Sequence, residues 1–188
     1  IPSPMKLPTL LLLPLALALP LAGAAEKPNL VLILADDLGY GDLGCYGSET
    51  IRTPHLDTMA GEGLRLTSFY AQAVCGPSRA ALMTGSYPIR IAEPGNQKNQ
   101  HTVVHPKEIT MAEVLREAGY ATGCIGKWHL GAHAKDSPTG FDPATMPKGQ
   151  GFDEFYGTPL FNGTTVRVED SKFRSTILRN EEVVVPAV

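Results

Sequence analysis

Residues 29–37 read NLVLILADD, a continuous apolar run from Leu30 to Ala35 closed by two acids, Asp36 and Asp37. A strand that alternates apolar and polar residues faces solvent on one side. One that is apolar throughout is buried on both faces, which is the habit of a central strand in a parallel sheet. Ligands of open parallel sheets gather outside the carboxyl ends of the strands. The run therefore predicts a fold class and also the end of the sheet where chemistry is expected.

Working outward, residues 38–47 (LGYGDLGCYG) form a glycine-rich loop. Thr53 is placed as an N-cap with Pro54 at the first helical position, and Leu56, Met59 and Ala60 lie on one face before Gly61 or Gly63 ends the helix. Residues 64–71 (LRLTSFYA) alternate and contain aromatics, which predicts a second strand. Residues 75–85 (CGPSRAALMTG) predict a helix with Pro77 in its first turn and Gly85 as its stop. The polar, aperiodic stretch from Tyr87 to Pro106 is expected as a loop. Thr110 and Glu113 form a capping box for a helix that Gly119 stops. Residues 120–131 (YATGCIGKWHLG) return as a strand running into a loop. After Ala132 the chain is loop-rich, with a short element expected at 151–157 and strands at 164–168 and 181–186. Alternation of strand and helix predicts an α/β fold with a mainly parallel central sheet flanked by helices.

The 188 residues are 43% hydrophobic and 19% charged, with a formal net charge of −3, an ordinary globular composition with no bias toward nucleic-acid binding. Residues 1–25 read as an export signal. Lys6 precedes the apolar run LPTLLLLPLALALPLAGAA, small residues follow, and Glu26-Lys27 turn polar. Cleavage after Ala24 and after Ala25 fit equally well. Pro14 and Pro20 argue against a stable membrane anchor, so a periplasmic or secreted location is expected. Ile1 to Pro4 precede a plausible initiator, Met5, and the strand-like EEVVVPAV ends the sequence without a cap. Both features suggest a piece of a longer protein, with residues 26–188 the first part of its catalytic domain.

Three strand ends carry chemically loaded residues: Asp36-Asp37, Cys75 to Arg79, and Lys127-Trp128-His129. Adjacent carboxylates at the end of a buried strand repel unless a cation is present, and a hard divalent ion such as calcium or magnesium removes the conflict. A turn cap beside a solvated acid is the plainer alternative. Cys75 at a helix N-terminus meets free N–H groups and the positive dipole end, a place for sulfate or phosphate. Arg79, one turn on, adds a forked donor. The alternative is a small packed cysteine. Lys127 and His129, two apart, project to one side in extended backbone and suit anion binding with proton transfer, while Trp128 packs opposite. A surface lysine beside a structural histidine is the competing reading. His55, His101, His105 and His133 are expected on the surface or in loops. Asn162-Gly163-Thr164 matches a glycosylation acceptor. With Cys45, Cys75 and Cys124 the thiol count is odd, and no zinc spacing is present.

Together, NLVLILADDLGYGDLGCYG, CGPSRAALMTG and GYATGCIGKWHLG, with GFDEFYG further on, resemble the amino-terminal part of the sulfatase family, within the alkaline-phosphatase-like superfamily. The resemblance covers Lys27 to about Pro159. Its specific element is C-x-P-S-R followed by T-G, the pattern the family presents for cysteine modification. The resemblance implies that a maturation enzyme oxidises Cys75 to formylglycine, one hydroxyl of whose hydrate attacks the sulfur of a sulfate ester and expels the alcohol. The covalent sulfate then leaves as the second hydroxyl loses its proton and the aldehyde returns. It implies a calcium ion, with magnesium as the alternative, on Asp36, Asp37 and the modified Cys75. Arg79 would stabilise the hydrate, Lys127 would hold the sulfate, and His129 would contact the hydroxyl and help the elimination.

The family's further metal ligands, and the His and Lys that serve the leaving group, lie downstream of this sequence. The expected substrate is an aryl or carbohydrate sulfate, with no nucleic-acid partner. Two alternatives are a phosphonate or phosphodiester hydrolase of the same superfamily and a non-catalytic relative that binds sulfated glycans. The second would show damage at Cys75, Arg79, Asp36 or Lys127, and none is present.

Overall fold

A computed structural model describes residues 26–91, 103–160 and 176–185 of the chain. The export signal, His101, the 164–168 strand and Asn162 lie outside the described residues. The chain divides into two units, 1–35 and 36–188. In the first, residues 26–35 have no regular structure, and Leu30 to Leu34 are exposed. The strand expected at 29–37 is therefore not formed. An apolar run becomes a strand only by ladder pairing, and no strand partner for it occurs among the described residues.

The second unit begins with two 3-10 turns, Tyr40–Asp42 and Gly44–Tyr46. They are anchored by helix α1 (Pro54–Glu62). Asp57 accepts the Cys45 N–H at 2.7 Å and the Thr53 hydroxyl at 2.9 Å, while Thr53 Oγ1 accepts the Gly44 N–H at 2.8 Å. Thr53 is thus the N-cap residue by position, but its side chain serves the preceding loop and not its own helix. Residues 64–71 do not form the expected strand. The Leu66 carbonyl instead accepts Tyr46 Oη at 2.8 Å, and Arg65 donates to the Cys45 carbonyl. The segment is tied to the 44–46 turn through these two bonds and not through a ladder.

Helix α2 (Cys75–Thr84) buries Ala80 and Met83 and ends at Gly85, whose φ of 65° is the left-handed C-terminal cap glycine allows. The expected 87–106 loop contains a short helix, α3 (Pro88–Ile91), started by a proline and anchored by buried Ile91. Helix α4 (Met111–Glu117) has its capping box. The Glu113 N–H donates to Thr110 Oγ1 at 3.2 Å and the Thr110 N–H to Glu113 Oε2 at 2.8 Å. Gly119 stops it at φ 83°.

The sheet has strand order β1-β2-β3-β4, formed by Gly123–Lys127, Glu154–Thr158, Ile177–Arg179 and Glu182–Val185. Only β1 and β2 are parallel, in register Gly123↔Glu154 to Lys127↔Thr158. The β2–β3 and β3–β4 pairs are antiparallel, so the sheet is mixed and not mainly parallel. Asn180, at φ 56°, turns the β3–β4 hairpin. Gly157 abuts the Gly126 backbone so closely that any Cβ would collide with it, which makes glycine obligatory there. Ala80, Met83, Ile91, Trp128, Leu130, Phe141, Met146, Phe155 and Leu178 share one hydrophobic cluster. Helix α2 and the segment after β1 are thereby fixed to one core.

Asp153 braces the start of β1. Its Oδ2 accepts the Thr122 N–H at 2.8 Å, and that backbone hydrogen bond, followed by the Thr122 hydroxyl, holds the Asp153 carboxyl below the ordinary 3.8. A carboxylate depressed in the folded state adds stability above its unfolded pKa and loses it as pH falls through the folded value. The native protein is expected to lose part of its stability below about pH 4. In Asp153→Asn that acid-side loss should be smaller, as read by thermal melts at pH 7 and pH 3. Superimposable pH dependence in the two proteins would count against the brace.

Candidate functional site

Each residue of the C-x-P-S-R stretch has a distinct task. Cys75 opens α2 after the extended Val74 (φ −144°, ψ 165°). Pro77 lacks an N–H at a position where helix donors have no internal partner anyway. Ser78 Oγ accepts the Gln72 N–H at 3.0 Å and donates to the Val74 carbonyl at 2.9 Å, which pins the approach to the helix. Arg79 reaches across to β1, with Nη1 donating to the Lys127 carbonyl at 2.6 Å.

Asp36 joins the two cations. Its Oδ1 lies 3.1 Å from Arg79 Nη2 and its Oδ2 2.8 Å from Lys127 Nζ. The cationic side chains are nearly buried, at 11% and 7% exposure, while that of Asp36 is 39% exposed. The Lys127 hydrogen bond, more than that to Arg79, holds the Asp36 carboxyl below its ordinary value against the opposing effect of burial. Arg79 Nε is buried with no acceptor among the described residues. Asp37 is exposed, at a left-handed φ of 55°, and makes no hydrogen bond to the other described residues.

Cys75 Sγ lies 3.3 Å from His129 Nδ1. His129 is buried, and its φ of 62° is left-handed, an unfavourable setting for a non-glycine residue. The extended alternation expected to aim Lys127 and His129 together ends at Lys127. It is the left-handed residue that brings the imidazole to Cys75. Trp128 packs into the core as expected, 3% exposed, with Nε1 donating to the Thr145 carbonyl at 2.9 Å. The structure thus brings together Asp36, Arg79 and Lys127, and couples Cys75 to His129 at the N-terminus of the helix that carries Arg79. Asp37 stays outside this set. Asp36, Asp37 and Cys75 do not gather as a metal-binding cluster, and no group of three or more His, Cys, Asp or Glu does so among the described residues. His55 and His133 are exposed, as expected.

Sequence reasoning missed Thr145 and Ser78, whose roles depend on which backbone groups fold next to them. Cys124 stands apart from the other thiols. Burial pushes the Cys124 thiol up to about 11. At pH 8 the folded protein should alkylate with iodoacetamide far more slowly at Cys124 than at Cys45, and denaturant should abolish the difference. Peptide mass spectrometry over time reads this directly. Equal rates in the folded state would show that Cys124 is not shielded.

A cysteine at a helix N-terminus, an imidazole against it and two nearly buried cations around one carboxylate meet on an α/β scaffold. The chain belongs to the sulfatase family, whose profile matches residues 28–177. Mouse steryl-sulfatase is 47% identical over 150 residues, covering 75% of this chain and 24% of its own length. Human arylsulfatase A is 50% identical over 138 residues (72% and 26%). The N-acetylgalactosamine-6-O-sulfatase of Bacteroides thetaiotaomicron is 45% identical over 139 (72% and 27%). The chain therefore spans about a quarter of the length of these relatives. Among solved structures, a Bacteroides thetaiotaomicron protein reported under metabolism of multiple glycosaminoglycans superposes with a TM-score of 0.65 at 40% identity, covering 85% of this chain and 32% of its own. Ps i-CgsB gives 0.60 at 41% (71% and 28%). The sulfatase, alkaline-phosphatase-like fold expected from the motifs is confirmed, with a mixed sheet in place of a mainly parallel one.

Proposed function

We propose that this chain is the amino-terminal part of an exported sulfuric ester hydrolase, with residues 1–25 its signal and residues 26–188 the start of its catalytic domain. Within the family established above, one observation carries the reading. Three segments remote in sequence bring Asp36, Cys75 to Arg79 and Lys127 to His129 to one place.

Lys127 Nζ and the Arg79 guanidinium supply positive charge where a sulfate group needs it, and Asp36 holds both in position before substrate arrives. Arg79 Nε, buried without an acceptor among the described residues, is a donor that an oxygen of the substrate or of residue 75 satisfies. Cys75, matured to hydrated formylglycine, supplies the attacking hydroxyl. His129 Nδ1, already 3.3 Å from the side chain of residue 75, exchanges the proton of that hydroxyl. Asp36 and Asp37 are oxygen donors of the kind calcium and magnesium take, and Asp37 is not engaged elsewhere among the described residues. Because these two carboxylates and residue 75 do not gather as a cluster among the described residues, they would hold such an ion only together with ligands from the rest of the full-length protein. When bound it supplies further charge against the developing negative charge of the leaving alcohol. The relatives' names span steryl, aryl and N-acetylgalactosamine sulfatases, so the substrate class is a sulfate ester.

The test is turnover by the full-length protein, co-produced with a formylglycine-generating enzyme, on an aryl sulfate and an aryl phosphodiester in parallel. Hydrolysis of the sulfate at a kcat/KM at least about 100-fold above the phosphodiester is expected. Preference for the phosphodiester would replace this reading with that of the neighbouring hydrolase. No turnover of either substrate would favour a binding protein.

A further inference from the structure

We propose that Thr145 is a positioning residue for His129 and so for the chemistry at residue 75; the inference rests on the sulfatase reading above. Thr145 lies 20 or fewer residues from none of the acidic or cationic site groups except those of the Lys127–His129 segment, and it is 2% exposed. It grips that segment at both ends. Its carbonyl accepts Trp128 Nε1 at 2.9 Å, one residue before His129. Its Oγ1 accepts the Ala132 N–H at 2.8 Å, three residues after, and donates to the Asp142 carbonyl at 2.8 Å.

Between those two anchors the backbone makes its left-handed residue. His129 at φ 62° is held by a hydrogen bond from its N–H to the Pro159 carbonyl at 3.0 Å, and Leu130 accepts the Val104 N–H at 3.3 Å. Gly131 is packed so tightly that a Cβ would lie 2.6 Å from Met146 Sδ and 3.8 Å from Thr145 Oγ1. A non-glycine residue keeps an unfavourable φ only where its surroundings over-determine it, and such residues cluster at functional sites. Here the unfavourable residue is the one whose ring meets Cys75. Thr145 joins both flanks of the turn to the Pro143–Thr145 3-10 turn, so its hydroxyl decides whether the turn can relax.

The test uses the full-length matured enzyme. Thr145→Val keeps volume and the carbonyl contact but removes the hydroxyl, while Thr145→Ser retains the hydroxyl. The expected result is a roughly 10-fold or larger fall in kcat for T145V with KM changed less than about 2-fold, and near-wild-type kcat for T145S. In a His129→Ala background, T145V should cost little more, because the two residues act through one ring. The imidazole carbon shift of His129 should move in T145V and not in T145S, which reads the ring's setting without turnover. If T145V does not fold, Thr145→Ala makes the same comparison, and the shift in T145S still tests the hydroxyl. Wild-type-like kcat and an unmoved shift in T145V overturn the inference, as do equal losses with and without His129. Absence of turnover in the wild type overturns the sulfatase reading instead, and the shift measurement still judges Thr145.

Discussion

Cys75→Ala in the full-length protein should reduce sulfate-ester turnover to background, a loss on the order of 10⁴-fold or more, as expected when the nucleophile itself is removed. The fold should hardly change. Cys75 occupies the first position of α2, where alanine is a good helix former, and its side chain is only half-buried. The melting temperature should stay within the range of a mild substitution, about 1 kcal/mol or less. Cys45→Ala is the matched control. Among the described residues, Cys45 acts through its backbone, accepting from Arg65 and donating to Asp57, so turnover should persist. Residual turnover in C75A above about 1% of wild type would remove Cys75 from the centre of the chemistry.

Asp36→Ala has the second-largest expected effect, and for a different reason. The carboxylate is the common partner of Arg79 and Lys127, whose charges are nearly buried. Removing it leaves two like charges facing each other without their counterion, and their side chains must spread or draw in solvent anions. Because Asp36 is itself 39% exposed, solvent screens part of the loss, and a stability cost of about 1–2 kcal/mol is expected. Catalysis should suffer more, by about 10³-fold in kcat/KM, since prepositioned charge is worth most in the transition state. Asp36→Asn keeps the shape but not the charge and should fall between. The measurements are steady-state kinetics and chemical denaturation on the same preparations. A D36A protein with unchanged kcat/KM would show that the ion-pair cluster is structural only.

Much of the site was legible because the chemistry is written in local patterns. The C-x-P-S-R stretch placed Cys75 at a helix start and Arg79 one turn behind it, and the structure keeps both. The Thr110–Glu113 capping box and the stops at Gly85 and Gly119 also follow from nearest-neighbour chemistry. What was not legible depends on pairing over distance. The run 30–35 reads as a buried strand, yet strand formation is decided by a partner. Residues 64–71 alternate correctly, but the Leu66 carbonyl accepts from Tyr46 and the Arg65 side chain reaches the Cys45 carbonyl. The mixed sheet arises from the 177–185 hairpin, whose β3 runs antiparallel to β2 and β4 antiparallel to β3, directions that composition does not reveal. The left-handed His129 left no trace in the sequence. Glycine is the usual mark of such a φ, and here a histidine adopts it.

The central claim concerns the chemical state of one residue. Full-length protein purified from its native host, digested with trypsin and analysed by intact-peptide mass spectrometry, yields the peptide from Leu66 to Arg79. The account predicts that this peptide carries an aldehyde at position 75, trapped as a hydrazone by an added hydrazine, in place of the thiol. A peptide bearing only an unmodified, alkylatable cysteine in active protein would contradict it.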